Sequence, residues 1–152
     1  MKRKALLVLG LAVALTCTNV VSVYAAEGEN YSIETYSNNN NKVVATGSEQ
    51  TDITGDVSVT GNDETAIKTS DNAKVSVKGN VSADGNNTYG VRSTDNSSVS
   101  VQGNVSASGE SAEGVASRGN SSVKVSGDVT AEGGITPSGV DAVKGSSVTV
   151  DG

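Results

Sequence analysis

Valine recurs along this chain at intervals of two, and the valine pairs return every 24 positions. Each unit is numbered here from the glycine that opens it: Gly55, Gly79, Gly103 and Gly127. Position 3 is then Val57, Val81, Val105 and Val129, and position 5 is Val59, Ala83, Ala107 and Ala131. Position 13 is Ile67, Val91, Val115 and, one residue late, Val140. Positions 21 and 23 are Val75/Val77, Val99/Val101, Val123/Val125 and Val148/Val150. Residues i and i+2 share one face of a strand. Each pair therefore points inward, while Ser58, Ser82, Ser106, Thr130 and Ser76, Ser100, Lys124, Thr149 between them point to solvent. The pattern predicts three short strands per unit, near positions 2–6, 12–16 and 20–24. Glycine at positions 1 and 7 and the pairs Asp71-Asn72 and Asp95-Asn96 mark corners, where positive φ is often needed.

A fixed period of this size is the mark of a solenoid, in which each unit is one coil stacked on the next. The expected fold is all-β, a right-handed parallel β-helix with 24-residue coils and three short strands per coil; the hand follows from the strong bias of parallel crossovers. A left-handed hexapeptide helix would want apolar residues every six positions, and the spacing here does not comply. With strands ~4.8 Å apart, four coils span about 19 Å.

The register extends upstream. Tyr31–Thr54 fills one more period, with Ile33 at position 3, Val43 at 13, Ala45 at 15 and Ile53 at 23. We expect a degenerate coil over 31–54 that caps the array, preceded by a flexible tail at 26–30. Four coils occupy 55–152, and Gly152 stands where a fifth would open. No cap is evident there, so the expectation is a fragment of a longer array, with an exposed edge open to self-association.

The segment 1–25 reads as a secretory signal peptide. Lys2, Arg3 and Lys4 form a basic start, Leu6–Leu15 an apolar run, and Val23-Tyr24-Ala25 a small-residue cleavage site. The run is shorter than the ~20 apolar residues a membrane span needs. Membrane contact is therefore expected only during export, and the location extracellular or at the surface of a bacterium, by its signal peptide.

Composition narrows the chemistry. The single cysteine, Cys17, lies in the signal peptide and there is no histidine, which excludes a disulfide framework and a thiolate or imidazole metal site in the mature chain. Three of the 11 Lys/Arg stand in the basic start, leaving 8 against 17 Asp/Glu after Ala25, a net of −9. Such a surface repels phosphate backbones, so nucleic acid is not an expected partner. Leucine is confined to the signal peptide, and Val, Thr and Ser favour strands.

No catalytic constellation emerges. Asp56 and Asp128 share a column with Asn80 and Asn104, which predicts a ladder of corner side chains rather than an acid–base pair. Sugar-lined grooves use aromatics, and only Tyr31, Tyr36 and Tyr89 follow the signal peptide. Neither a calcium-binding nonapeptide nor an EF-hand loop occurs, and no cofactor is expected. The stretch at positions 8–11 varies between coils, and variable segments on one side of a solenoid are where binding often resides. Tyr89, Asn86, Asn87, Glu110 and Glu113 are the candidate interaction residues there.

The motif Gly79-Asn-Val-Ser-Ala-Asp-Gly85, followed by Gly90-Val-Arg-Ser93 and Ser98-Val-Ser-Val101, resembles the coils of secreted bacterial right-handed parallel β-helix proteins. These are the pectin-lyase-like and adhesin-passenger type surface proteins, including repetitive ones of Gram-positive gut bacteria. The resemblance covers 55–152 and implies fold and surface location. The enzymatic branch carries a groove of aspartates with arginine or lysine across several coils. Arg92 and Arg118 hold different positions in their units, so no functional residue carries over. The expected function is a non-catalytic structural or adhesin-like scaffold with glycans or host-surface proteins as partners. The alternatives are a truncated polysaccharide-active enzyme and a disordered acidic Gly/Ser-rich linker.

Overall fold

The structure is a computed structural model that describes residues 22–25, 31–36, 40–48 and 50–152, with side chains from Asn41 onward. The expected signal peptide up to residue 21 and the tail at 26–30 lie outside the described residues. Ahead of the repeats come β1 (Ser22–Ala25), β2 (Tyr31–Tyr36), β3 (Asn40–Thr46) and β4 (Gln50–Thr54). The four coils then supply β5 (Val57–Thr60), β6 (Thr65–Ser70), β7 (Lys74–Val77), β8 (Val81–Asp84), β9 (Tyr89–Ser93) and β10 (Ser98–Val101). They continue with β11 (Val105–Ser108), β12 (Glu113–Arg118), β13 (Ser122–Val125), β14 (Val129–Glu132), β15 (Ser138–Val143) and β16 (Ser147–Val150). Among the described residues there is no helix.

Like strands of successive coils pair in parallel, residue on residue, one period apart. Sheet A has the order β1-β4-β7-β10-β13-β16, sheet B β2-β3-β6-β9-β12-β15, and sheet C β5-β8-β11-β14. Val81 stands between Val57 and Val105 in sheet C, Val91 between Ile67 and Val115 in sheet B, and Val101 between Val77 and Val125 in sheet A. The molecule is a three-sided β-solenoid, as the period implied. The valine columns form its interior: Val57, Val77, Val91, Val101, Val105, Val115 and Val125 are fully buried. Each such side chain contributes about 1.5–3 kcal/mol relative to exposure.

One inward column departs from simple alternation, and a second keeps to it but carries hydroxyls. Position 12 (Ala66, Gly90, Gly114) faces the interior beside position 13, because the chain bends there. A Cβ on Gly90 would lie 2.6 Å from both Val105 Cγ1 and the Gly114 carbonyl oxygen, so only very small residues fit this bend. Position 15 carries Thr69, Ser93 and Ser117, all fully buried. Burying a hydroxyl is costly unless it is bonded; here Thr69 Oγ1 donates to Ser93 Oγ at 2.9 Å, along the stack.

The corners use the expected chemistry. Asp71 and Asn72 have φ of 58° and 71°, Asp95 and Asn96 56° and 62°, a left-handed conformation that Asp and Asn tolerate. Gly109, at position 7, sits at φ +122°, and a Cβ there would run into the carbonyl group of Gly85 in the previous coil.

Residues 31–54 depart from the expected coil in their first third. Val43, Ala45 and Ile53 do stack in parallel register on Ile67, Thr69 and Val77. Ile33, placed by its spacing at position 3, instead lies opposite Val43, because β2 folds back antiparallel on β3. Sheet C therefore begins at β5. The outer edge of β5 is met by a side chain: Asn41 Nδ2 donates to the Asp56 carbonyl at 3.0 Å and Asn41 Oδ1 accepts from the Ser58 amide at 2.7 Å. One carboxamide thus stands in for a neighbouring peptide group. Ser22–Ala25 forms β1, antiparallel to β4; cleavage after Ala25 would remove this strand. At the other end β14, β15 and β16 are outermost in their sheets, and Ile135, Val140, Val143 and Val150 are exposed.

Candidate interaction surface

The stack divides the candidate residues into corner and face. Asn86 and Asn87 form a turn, with Asn87 at φ 56°. Asn86 belongs to a side-chain ladder: its amide donates to Asn62 Oδ1 at 2.9 Å, and its own Oδ1 accepts the Glu110 amide at 3.0 Å. Asn87 Nδ2 donates to Asp63 Oδ1 at 3.2 Å. These residues bind the coils to one another. A second ladder runs down position 2, where Asp56, Asn80 and Asn104 each accept the backbone amide of the matching residue in the next coil, at 2.7–2.9 Å. Asp56 and Asp128 are thus parts of a corner ladder, as their column predicted.

Tyr89 and Glu113 lie together on sheet B, paired in register on β9 and β12. The Arg92 guanidinium sits over the Tyr89 ring, 5.3 Å from its centre, a cation–π contact. Glu113 reaches Arg118 at 3.8 Å, and Arg118 binds Asp141 at 2.8 Å. The hydrogen bond that Arg118 donates to Asp141 holds its guanidinium above its ordinary pKa, against the smaller opposing effect of burial, with added attraction from Asp141 and Glu113. Glu113 is therefore one arm of an ion-pair cluster. Among the described residues no three His, Cys, Asp or Glu side chains gather where they could hold a metal.

The three outer faces differ in how their hydroxyls are used. On sheet C two are bonded between coils, Ser82 Oγ donating to Ser58 Oγ at 3.0 Å and Ser108 Oγ to Asp84 Oδ1 at 2.7 Å, while Ser106 and Thr130 make no side-chain hydrogen bond to any described residue. On sheet A, Ser76, Ser98, Ser100, Ser122 and Thr149 make no side-chain hydrogen bond to any described residue. They line a shallow groove of about 360 Å³ that crosses β4, β7, β10, β13 and β16. Asp52 and Gln50 stand at one end, and Lys74 and Lys124 rise from its floor. Lys124 is paired with Asp151 at 3.0 Å; Lys74 has no ion-pair partner among the described residues.

This groove was not among the sequence candidates. Its residues, Ser76, Ser100, Lys124 and Thr149 among them, read as an ordinary solvent face. The signal that distinguishes it, a row of hydroxyls none of which bonds a described neighbour, appears only when the coils are stacked. No protein-family model, curated protein or solved structure matches the chain.

Proposed function

We propose that this protein is a non-catalytic, exported β-solenoid acting as an interaction scaffold at a bacterial cell surface, with a glycan as the ligand of the sheet A groove. One observation carries the reading: a row of unpaired hydroxyls with a lysine on an open, shallow surface. Serine and threonine hydroxyls both donate and accept, which suits a polyol whose own hydroxyls do the same. The hydroxyls repeat at the strand spacing of ~4.8 Å, comparable to the length of a sugar ring, so a linear saccharide running along the axis would meet the same groups coil after coil. Export rests on the basic and apolar pattern of the segment 1–25, and the scaffold role on carboxylates held in ladders and ion pairs. The experiment is a glycan panel probed with the purified mature chain and with a Ser98→Val/Ser122→Val variant, whose changes favour strand and leave the interior untouched. Binding by the wild type that is lost in the variant supports the reading. Absence of binding across the panel, or equal binding by both proteins, overturns it.

A further inference from the structure

Sheet B carries one outward cation on each of four successive strands: Lys42 on β3, Lys68 on β6, Arg92 on β9 and Arg118 on β12. The outer two have carboxylates, Lys42 with Glu64 at 3.5 Å and Arg118 with Asp141 and Glu113. The central two have none among the described residues. Yet Lys68 and Arg92 are direct cross-strand partners in the parallel register. Their backbones are therefore ~4.8 Å apart, and like charges directly opposite each other destabilise a sheet. The chain has acid to spare, 17 Asp/Glu against 11 Lys/Arg, so a compensating carboxylate would have been available. Arg92 is held in place by its contact with the Tyr89 ring, which lowers the entropy a bound partner would have to remove.

We infer that Lys68 and Arg92 form an oxyanion-binding site on the outer face of sheet B, taking a carboxylate or sulfate group. An anion between the two relieves their repulsion and accepts from the ammonium and from the planar fork of the guanidinium. The site is on a different face from the sheet A groove, so the two stand or fall separately. The shared chemistry, an oxyanion, has two sources: a small free ion, or an acidic group borne by a glycan.

The test uses the mature chain and the Lys68→Gln and Arg92→Gln variants, with sodium sulfate and a heparin-type oligosaccharide as probes. Sulfate stabilises proteins generally, so its effect is read as the difference between wild type and variant, with chloride at matched ionic strength as reference. The wild type is expected to gain more in unfolding midpoint from sulfate than either variant. Lys68→Gln is expected to raise the midpoint at low ionic strength and to lose that advantage in high salt. If the anion is glycan-borne, oligosaccharide affinity falls about tenfold or more in the variants, as expected for losing one charge-assisted contact. If it is a small free ion, the sulfate difference appears without oligosaccharide binding. Equal sulfate gains in all three proteins, or a lower low-salt midpoint for Lys68→Gln, overturns the inference and leaves the groove on sheet A untouched.

Discussion

Replacing Gly109 by alanine tests how tightly the coils are stacked. Its backbone sits at φ +122°, and the added Cβ would lie 2.5 Å from the Gly85 carbonyl carbon and 3.1 Å from the Asn86 nitrogen. Two costs follow. Holding an L residue in this region costs on the order of 1–3 kcal/mol. The overlap is with backbone that cannot rotate away, so the coils must part, an overpacking cost of about 1–3 kcal/mol. Gly109→Ala should therefore destabilise by roughly 2–6 kcal/mol, a large share of the ~5–15 kcal/mol of a typical domain. Gly47 separates the two costs. It has φ +80° and nothing within 4 Å of a Cβ, so Gly47→Ala carries the backbone cost alone, about 1 kcal/mol. Urea unfolding followed by far-UV circular dichroism measures both, with the m-value monitored because stacked repeats can unfold in parts. A Gly109→Ala protein within about 0.5 kcal/mol of wild type, or no less stable than Gly47→Ala, would refute the close contact between coils.

Other perturbations probe separate parts of the account. Val101→Ala, at a fully buried site, should cost roughly 2 kcal/mol, while Val150→Ala, 39% exposed, should cost less than half of that in the same urea titration. Asn104→Ala removes the acceptor of the Asp128 amide and should cost about 1 kcal/mol, and Asn104→Asp, which keeps the acceptor, should restore most of it. Asp141→Asn weakens a partly exposed pair with Arg118 and should cost at most about 1 kcal/mol, less in high salt. Because the raised Arg118 pKa lies above its unfolded value, the stability it confers is fully present at neutral pH. It is lost only as pH rises through the folded pKa, beyond the ordinary arginine value, so the stability difference between wild type and Asp141→Asn should stay flat across neutral and mildly alkaline pH.

The coil and its three strands were legible because the interior is written in one residue type at strict spacing. Val57, Val81 and Val105 could share a column only if every unit closes with the same period. The bend at position 12 was not legible, because Ala66, Gly90 and Gly114 carry no polarity signal and their smallness answers to a neighbouring coil's backbone. The buried Thr69 and Ser93 were hidden for the opposite reason, since hydroxyls bonded to each other along the stack are tolerated where alternation expects carbon; Ser117, buried below them, has no hydrogen-bond partner for its hydroxyl among the described residues. Ile33 met the coil register by spacing alone. In the structure β2 folds back antiparallel on β3, and Asn41 closes the edge of β5. At the candidate surface, Tyr89 and Glu113 were found because both fall in the stretch that varies between coils and one of them is aromatic. The groove and the Lys68–Arg92 pair depend on which residues lack partners, a property of the stacked structure that no single unit contains.

The central claim is that residues one period apart lie side by side, and disulfide formation measures it directly. No cysteine follows Cys17, so two can be introduced cleanly in a protein that starts at Ala26. Ser58 and Ser82 are in-register partners on sheet C with hydroxyls 3.0 Å apart, and their Cα separation of ~4.8 Å lies within the range a disulfide spans. Ser58 and Ser106 are two strands apart, about 9.6 Å, beyond that range. The account predicts that Ser58→Cys/Ser82→Cys oxidises rapidly within the folded chain and gains stability, whereas Ser58→Cys/Ser106→Cys stays reduced until denaturant is added. Equal oxidation of the two pairs in native buffer, or failure of the first to close, would contradict the solenoid.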